Sequence, residues 1–219
     1  MGDRTRAREL AAEYVRKGDP TGWFDVLYKE AEAGKSIVPW ADRGASPGLI
    51  EFWKINPQAT DGRTALVIGC GLGDDAEQLS DWGFATTAFD ISETAIRTAR
   101  KRFPNSAVNY SVADLFAPPA GWNRNFDFVF EANTVQALPV SVRPRAIQGI
   151  AAFVRPGGKL LAIVRGREPN EPEGQLPWPL TRAEMGEFRR AGLEEESFEE
   201  YFDTEDPPAR RFRGLYVKP

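Results

Sequence analysis

The chain has no histidine and one cysteine among its 219 residues. Without histidine it lacks the commonest general base at neutral pH, so acceptors of high pKa that need deprotonation are poorly served. The single Cys70 excludes an intrachain disulfide and suits a reducing, cytoplasmic setting. Long apolar runs are missing as well. No stretch reaches membrane-spanning length, and Met1 to Lys17 is charged without the apolar core of a signal peptide. Basic charge is not in excess: 28 Lys and Arg stand against 32 Asp and Glu, a net charge of −4. That balance gives no general attraction to nucleic acid or an anionic membrane, and small molecules are the expected partners. No heptads or internal repeats occur, a monomer is expected, and no metal site is foreseen.

What is present is one α/β domain's worth of chain, able to bury roughly 70% of its unfolded surface. Residues 5–17 and 20–33 read as two helices, the second with Asp19 as cap and Pro20 in its first turn. Ser46-Pro47 opens another. Residues 1–60 thus form an N-terminal helical cover, and the core occupies 61–219. In the core strands and helices alternate: strand 64–69, helix 74–82, strand 84–90, helix 93–102, strands 108–113 and 126–131, helix 141–153, strand 158–164. Helix 182–191 follows the capping box Thr181-Arg182-Ala183-Glu184, and strands near 193–202 and 209–217 flank Asp206-Pro207-Pro208. The expectation is a doubly wound, seven-stranded, mostly parallel Rossmann-like sheet with a C-terminal antiparallel hairpin.

The run Ala65-Leu66-Val67-Ile68-Gly69-Cys70-Gly71-Leu72-Gly73-Asp74-Asp75 is the most informative segment. It reads as a buried strand, a glycine turn and a helix start carrying two acids. Gly69, Gly71 and Gly73 let the backbone turn sharply and approach a ligand. A dinucleotide fingerprint would have its third glycine where Asp74 stands, and carboxylates there oppose a pyrophosphate. A cationic nucleoside such as S-adenosylmethionine (SAM) fits better than NAD. Ligands of open parallel sheets bind at the strands' carboxyl ends, which here carry Asp90-Ile91, Asp114-Leu115 and Glu131. Asp90 can accept both ribose hydroxyls, and Asp114 the adenine amino group while Leu115 packs on the ring. Asp114 could equally serve a turn, and Glu131 could be an acid near the reacting centre or a solvated strand end.

Together these residues resemble a class I SAM-dependent methyltransferase. Val67–Gly73 is similar to its first motif, Phe89–Ile96 to the second, Val112–Phe116 to the third, Phe126–Glu131 to the fourth and Val154–Leu161 to the fifth. Within that superfamily, Phe130–Pro139 and Pro39-Trp40-Ala41-Asp42-Arg43-Gly44 resemble the thiopurine, thiol and halide methyltransferase branch. The resemblance implies that SAM is used and S-adenosylhomocysteine (SAH) released. It also implies that Trp40 lies against the cofactor. Ala41 departs from the branch, which has its acid directly after the tryptophan.

In-line methyl transfer from a sulfonium needs positioning and exclusion of water more than proton chemistry. Soft or already ionised acceptors such as thiols suit a chain without histidine. Glu131 and Asp42 are the candidate catalytic acids. Val38, Thr134, Gln136, Arg167 and Trp178 are the candidate acceptor-pocket residues, although Trp178 could be lid packing and Arg167 could pair with Glu168 or Glu171. The alternatives are an O- or N-methyltransferase of a small phenolic or heterocyclic metabolite, and a SAM-binding protein without turnover. A nucleic-acid enzyme is disfavoured, since the basic cluster Arg210, Arg211 and Arg213 lies on a late strand in a chain that is acidic overall.

Overall fold

The computed structural model describes residues 4–41, 44–57 and 59–219. Helices α1 (Thr5–Arg16), α2 (Trp23–Glu32) and α3 (Pro47–Ile55) precede the core, which runs β1 (Thr64–Ile68), α4 (Asp74–Asp81), β2 (Ala85–Asp90), α5 (Glu93–Arg102), β3 (Asn109–Val112), β4 (Phe126–Ala132), α6 (Arg143–Phe153) and β5 (Val154–Arg165). It ends with α7 (Arg182–Met185), α8 (Glu187–Arg190), β6 (Glu194–Phe202) and β7 (Arg210–Val217). The seven strands lie in the order β3-β2-β1-β4-β5-β7-β6. The first five are parallel, and β7 inserts antiparallel between β5 and β6. The expected sheet, hairpin and helical cover are all present.

Period-two alternation divides the core between the two faces of the sheet. Leu66, Ile68, Val129 and Leu160 pack on one side with α6 and α8, while Ala65, Val67, Phe130 and Leu161 pack on the other with α3 and α4. A third cluster joins the cover to the loop after β5, with Leu10, Trp23 and Leu27 against Leu176. Trp23 and Leu27 are fully buried, each contributing about 1.5–3 kcal/mol by area.

Most element boundaries fall within two residues of the sequence expectation, and three elements differ more. Helix α2 starts at Trp23 rather than Pro20, because Asp19 Oδ1 accepts hydrogen bonds from the Thr21 and Gly22 amides and holds a turn ahead of the helix. The expected helix 182–191 is two short helices separated by Gly186, a residue of low helix propensity. Strand β5 begins at Val154, whose partner is Phe126, and a register shift between Phe126 and Phe128 absorbs Pro156-Gly157.

Candidate active site

A cavity opens where the parallel strands end, roofed by the N-terminal cover. It has about 1150 Å³ of empty space, counted out to its open mouth. Gly69 lines it after β1, Asp90 and Ile91 after β2, Asp114 and Leu115 after β3, and Thr134 and Gln136 after β4; Trp40 closes it from above. Most of the residues that strand ends alone singled out therefore meet in one place.

The glycine turn has φ of +58° at Gly69, +52° at Gly71 and +95° at Gly73, backbone that side-chain-bearing residues rarely adopt. Each glycine also makes room for a neighbour. A Cβ at Gly69 would stand 2.5 Å from Thr134 Oγ1, one at Gly71 2.8 Å from the Tyr28 hydroxyl, and one at Gly73 2.4 Å from the Tyr110 hydroxyl. Only Gly69 belongs to the cavity lining; Gly71 and Gly73 instead admit the two tyrosines. The Cys70 thiol between them is pushed up by desolvation and by the nearby Asp90 charge, so it stays protonated.

Asp90 is the hub of this end. Its Oδ2 accepts from the Gly71 amide at 3.0 Å and its Oδ1 from the Ser92 amide at 2.9 Å. Burial raises its pKa to about 6, with those amides pulling the other way. An ionised carboxylate offers roughly four acceptor positions, and the two amides use half of them. Asp114 Oδ1 accepts from the Phe116 amide at 2.8 Å, so the turn role and the cavity-facing role coexist.

The acids after the glycines correct the sequence reading. Asp74 forms a two-point ion pair with Arg102 at 2.7 and 2.8 Å, and Asp75 accepts from the Ser46 amide at 2.7 Å. Neither lines the cavity. They brace the turn, and the choice between SAM and a dinucleotide does not rest on them.

Trp40 stands in an aromatic wall. Its ring meets Trp23, Phe24 and Tyr28 edge-on at 6.0, 6.4 and 6.5 Å, and its Nε1 donates to the Tyr28 hydroxyl at 3.1 Å. Phe24 and Tyr28 also line the cavity. Both belong to the cover helix α2, and nothing in the sequence marks them as ligand-facing.

Glu131 does not line the cavity. Alternation along β4 puts its side chain on the Val129 face, fully buried. Its Oε2 accepts from the Thr134 and Val135 amides at 3.1 and 3.4 Å, and Oε1 has no partner. Burial raises its pKa to about 8. A neutral carboxyl here supports the Asn133–Ala137 turn. Asp42 lies outside the described residues.

Of the other acceptor-pocket candidates, Val38, Arg167 and Trp178 are absent from the lining. Arg167 Nε donates to the Pro179 carbonyl and Nη1 to the Glu171 carbonyl, tying down its own loop. Trp178 packs in the cover cluster, and its carbonyl accepts from the buried Arg143 at 2.8 Å. In their place stand Arg4, Asn133, Arg165, Glu205 and Arg211. Asn133 adopts φ +67° and its Oδ1 accepts from Gln136 Nε2 at 2.9 Å and from Arg211 Nη1 at 3.0 Å.

Among the described residues no group of acids, cysteines or histidines could hold a metal ion, and no helix is long and apolar enough to cross a membrane.

A family model described as a methyltransferase domain matches residues 65–158. The chain is 29% identical over 163 residues to a protein of Arabidopsis thaliana described as "Probable thiol methyltransferase 2", covering 72% of this chain and 67% of that protein. It is 21% identical over 168 residues to thiopurine S-methyltransferase of Aliivibrio salmonicida, covering 69% and 76%. In fold it is similar to the N-methyltransferase NodS of Bradyrhizobium japonicum, solved with SAH, with a TM-score of 0.68 at 17% identity over 89% of this chain and 99% of that one.

Proposed function

We propose, for a chain that belongs to the SAM-dependent methyltransferases, that it transfers a methyl group to a small, soft nucleophile, a thiol above all. The observation that carries this is a roofed cavity whose lining has acids and aromatics at the cofactor end, in a sequence without histidine. The thiol and thiopurine methyltransferases at 29% and 21% identity support the same class of acceptor.

The residues present fit an adenosyl ligand. Asp90 has acceptor positions left for two hydroxyls, Asp114 has one for an amino group, and Leu115 with Phe116 offers an apolar slot. Gly69 leaves room for Thr134, whose Oγ1 a Cβ there would meet at 2.5 Å, so both can line the cavity. The Trp40, Phe24 and Tyr28 faces favour a sulfonium over a neutral sulfur. When bound, SAM supplies an activated methyl on that sulfonium.

The protein's own part is to hold, align and dry. Asp90 and Asp114 fix one end of the ligand, so that its reactive end lies towards Thr134 and Gln136 after β4. The aromatic roof excludes water, which strengthens an anionic nucleophile by stripping its solvation. Glu131 keeps its proton and holds the Asn133–Ala137 turn, and no group here is asked to deprotonate the acceptor. Ionisation then belongs to the acceptor. The same reading includes a monomer in a reducing, cytoplasmic setting.

Its test is kcat/KM against pH for a series of aryl thiols of graded acidity. The inflection is expected to track the pKa of each thiol. An inflection fixed at one pH for every thiol would mean that an enzyme base does the work.

A further inference from the structure

The cavity has a second end whose chemistry the cofactor does not use. Along the strand ends, Asp114 follows β3, Asp90 follows β2 and Gly69 follows β1, so an adenosyl ligand runs from β3 towards β1 and β4. Arg165 closes β5 and Arg211 opens β7 one and two strands beyond β4. At about 4.8 Å per strand, both guanidinium stems rise roughly 10–15 Å past the glycine turn, where an acceptor and not the cofactor would lie.

Arg165 and Arg211 are direct register partners across the antiparallel β5–β7 ladder. Like charges set opposite each other on one face repel, and such a pair persists when something anionic bridges it. Here the bridge is a single carboxylate. Glu205 Oε1 accepts from Arg211 Nη2 at 2.8 Å and Oε2 accepts from Arg165 Nη2, with Arg4 Nη2 3.7 Å from the same oxygen. Arg211 is further held by Asp203 Oδ2 at 2.6 Å and Asn133 Oδ1 at 3.0 Å, and the Arg165 amide donates to Gln136 Oε1. Asp203 and Asn133 thus fix the Arg211 guanidinium independently of Glu205, while the Arg165 guanidinium is oriented by Glu205 and its backbone by Gln136. Fixed planar forks are what bidentate recognition of a carboxylate requires.

Glu205 comes from the segment between β6 and β7, whose backbone is pinned by Asp203 Oδ1 accepting from the Glu205 and Ala209 amides at 3.0 and 2.8 Å. Its side chain is 24% exposed, against 13% for Arg211. The carboxylate can turn out to solvent while Asp203 and Asn133 keep Arg211 in place.

We propose that Arg165 and Arg211 read a carboxylate carried by the methyl acceptor, at a seat that Glu205 fills from within the chain. The acceptor is thus an anionic thiol whose carboxylate points away from its nucleophilic atom and exchanges with Glu205 on binding. This rests on the soft-acceptor reading above and adds a charge requirement to it.

The test is calorimetric titration of the SAH-saturated protein with 4-mercaptobenzoate and with 4-mercaptobenzamide, followed by methyl-transfer kinetics on both and on 4-hydroxybenzoate. The acid is expected to bind at least tenfold more tightly than the amide. Arg211→Gln and Arg165→Gln should each shrink that preference to twofold or less while SAH affinity stays within twofold, which reports an intact cofactor seat. Glu205→Gln should tighten the acid several-fold by removing its competitor. Equal binding of acid and amide by the natural protein overturns the proposal, as does a preference that survives both arginine substitutions. If both thiols are methylated without regard to charge, this proposal fails and the soft-acceptor reading stands. Should the acid preference hold while methyl arrives only on the oxygen of 4-hydroxybenzoate, the soft-acceptor reading fails and the carboxylate seat stands.

Discussion

The Asp25 carboxylate on α2 accepts a 2.7 Å hydrogen bond from the Ser92 hydroxyl, the same hydroxyl that caps α5 by accepting from the Ala95 amide at 3.0 Å. The Thr94 amide donates to the same Asp25 oxygen at 3.1 Å. One carboxylate therefore docks the N-terminal cover on the first turn of a core helix, where the helix dipole also favours negative charge. Since Ser92 stands two residues after Asp90, this latch sets how the aromatic roof sits over the cofactor end.

Replacing Asp25 with Ala is expected to cost about 1–2 kcal/mol, the usual value of a lost cap or charge-assisted hydrogen bond. Burial opposes ionisation of Asp25, but hydrogen bonds from Lys29, Ser92 and Thr94 outweigh it and hold the pKa at about 2. The folded value lies below the unfolded one, so this stabilisation is complete above about pH 4 and is lost as pH falls through 2. Urea melts at pH 7 and pH 2.5 check it: the difference between natural protein and variant should narrow at the lower pH.

Glu131 predicts the opposite slope. Its pKa is raised to about 8, so between about pH 4.5 and 8 the folded chain holds a proton that the unfolded chain has lost. Stability should fall across that window by up to about 1.4 kcal/mol per pH unit. Glu131→Gln removes this titration, so the stability of the variant relative to the natural protein should climb from pH 5 to pH 8. A constant difference across that range would show that Glu131 is already ionised in the fold.

The cavity floor gives a steric prediction. Gly69→Ala adds a methyl 2.5 Å from Thr134 Oγ1 at φ +58°, and Thr134 Oγ1 itself donates to the Ile68 carbonyl at 3.1 Å. Strain of this kind costs about 1–3 kcal/mol. SAH affinity should drop at least tenfold while far-ultraviolet circular dichroism stays native. Unchanged affinity would move the cofactor away from this turn.

The alternation of elements, the glycine turn and the acids after β2 and β3 were legible from sequence because each is local: one strand, one turn, one side chain at a strand end. Asp74 and Asp75 misled because their partners, Arg102 and Ser46, are 28 and 29 residues away, and nothing local announces those bonds. The charged end of the cavity was hidden for the same reason. Arg165, Glu205 and Arg211 come together only when β7 inserts beside β5, and in the sequence Arg211 is one member of a basic cluster beside Pro207-Pro208. Trp178 and Arg167 lie near that end in sequence, but Trp178 packs against the cover with its carbonyl held by Arg143, and the Arg167 guanidinium donates to carbonyls of its own loop.

Trp40 lines the cavity and bonds Tyr28, whose hydroxyl stands beside the glycine turn. SAH should quench the protein's tryptophan fluorescence, and Trp40→Phe should remove most of that response and weaken binding about tenfold. Full quenching in the variant would assign the signal to another of the six tryptophans.

The central claim is that this chain methylates a soft acceptor without an enzyme base. Its most direct test is product identification by mass spectrometry after incubation with labelled SAM and equal concentrations of an aryl thiol, a phenol, an azole and an aliphatic alcohol. The account predicts an S-methyl product well ahead of the rest and none from the alcohol. Methylation confined to the alcohol would contradict it.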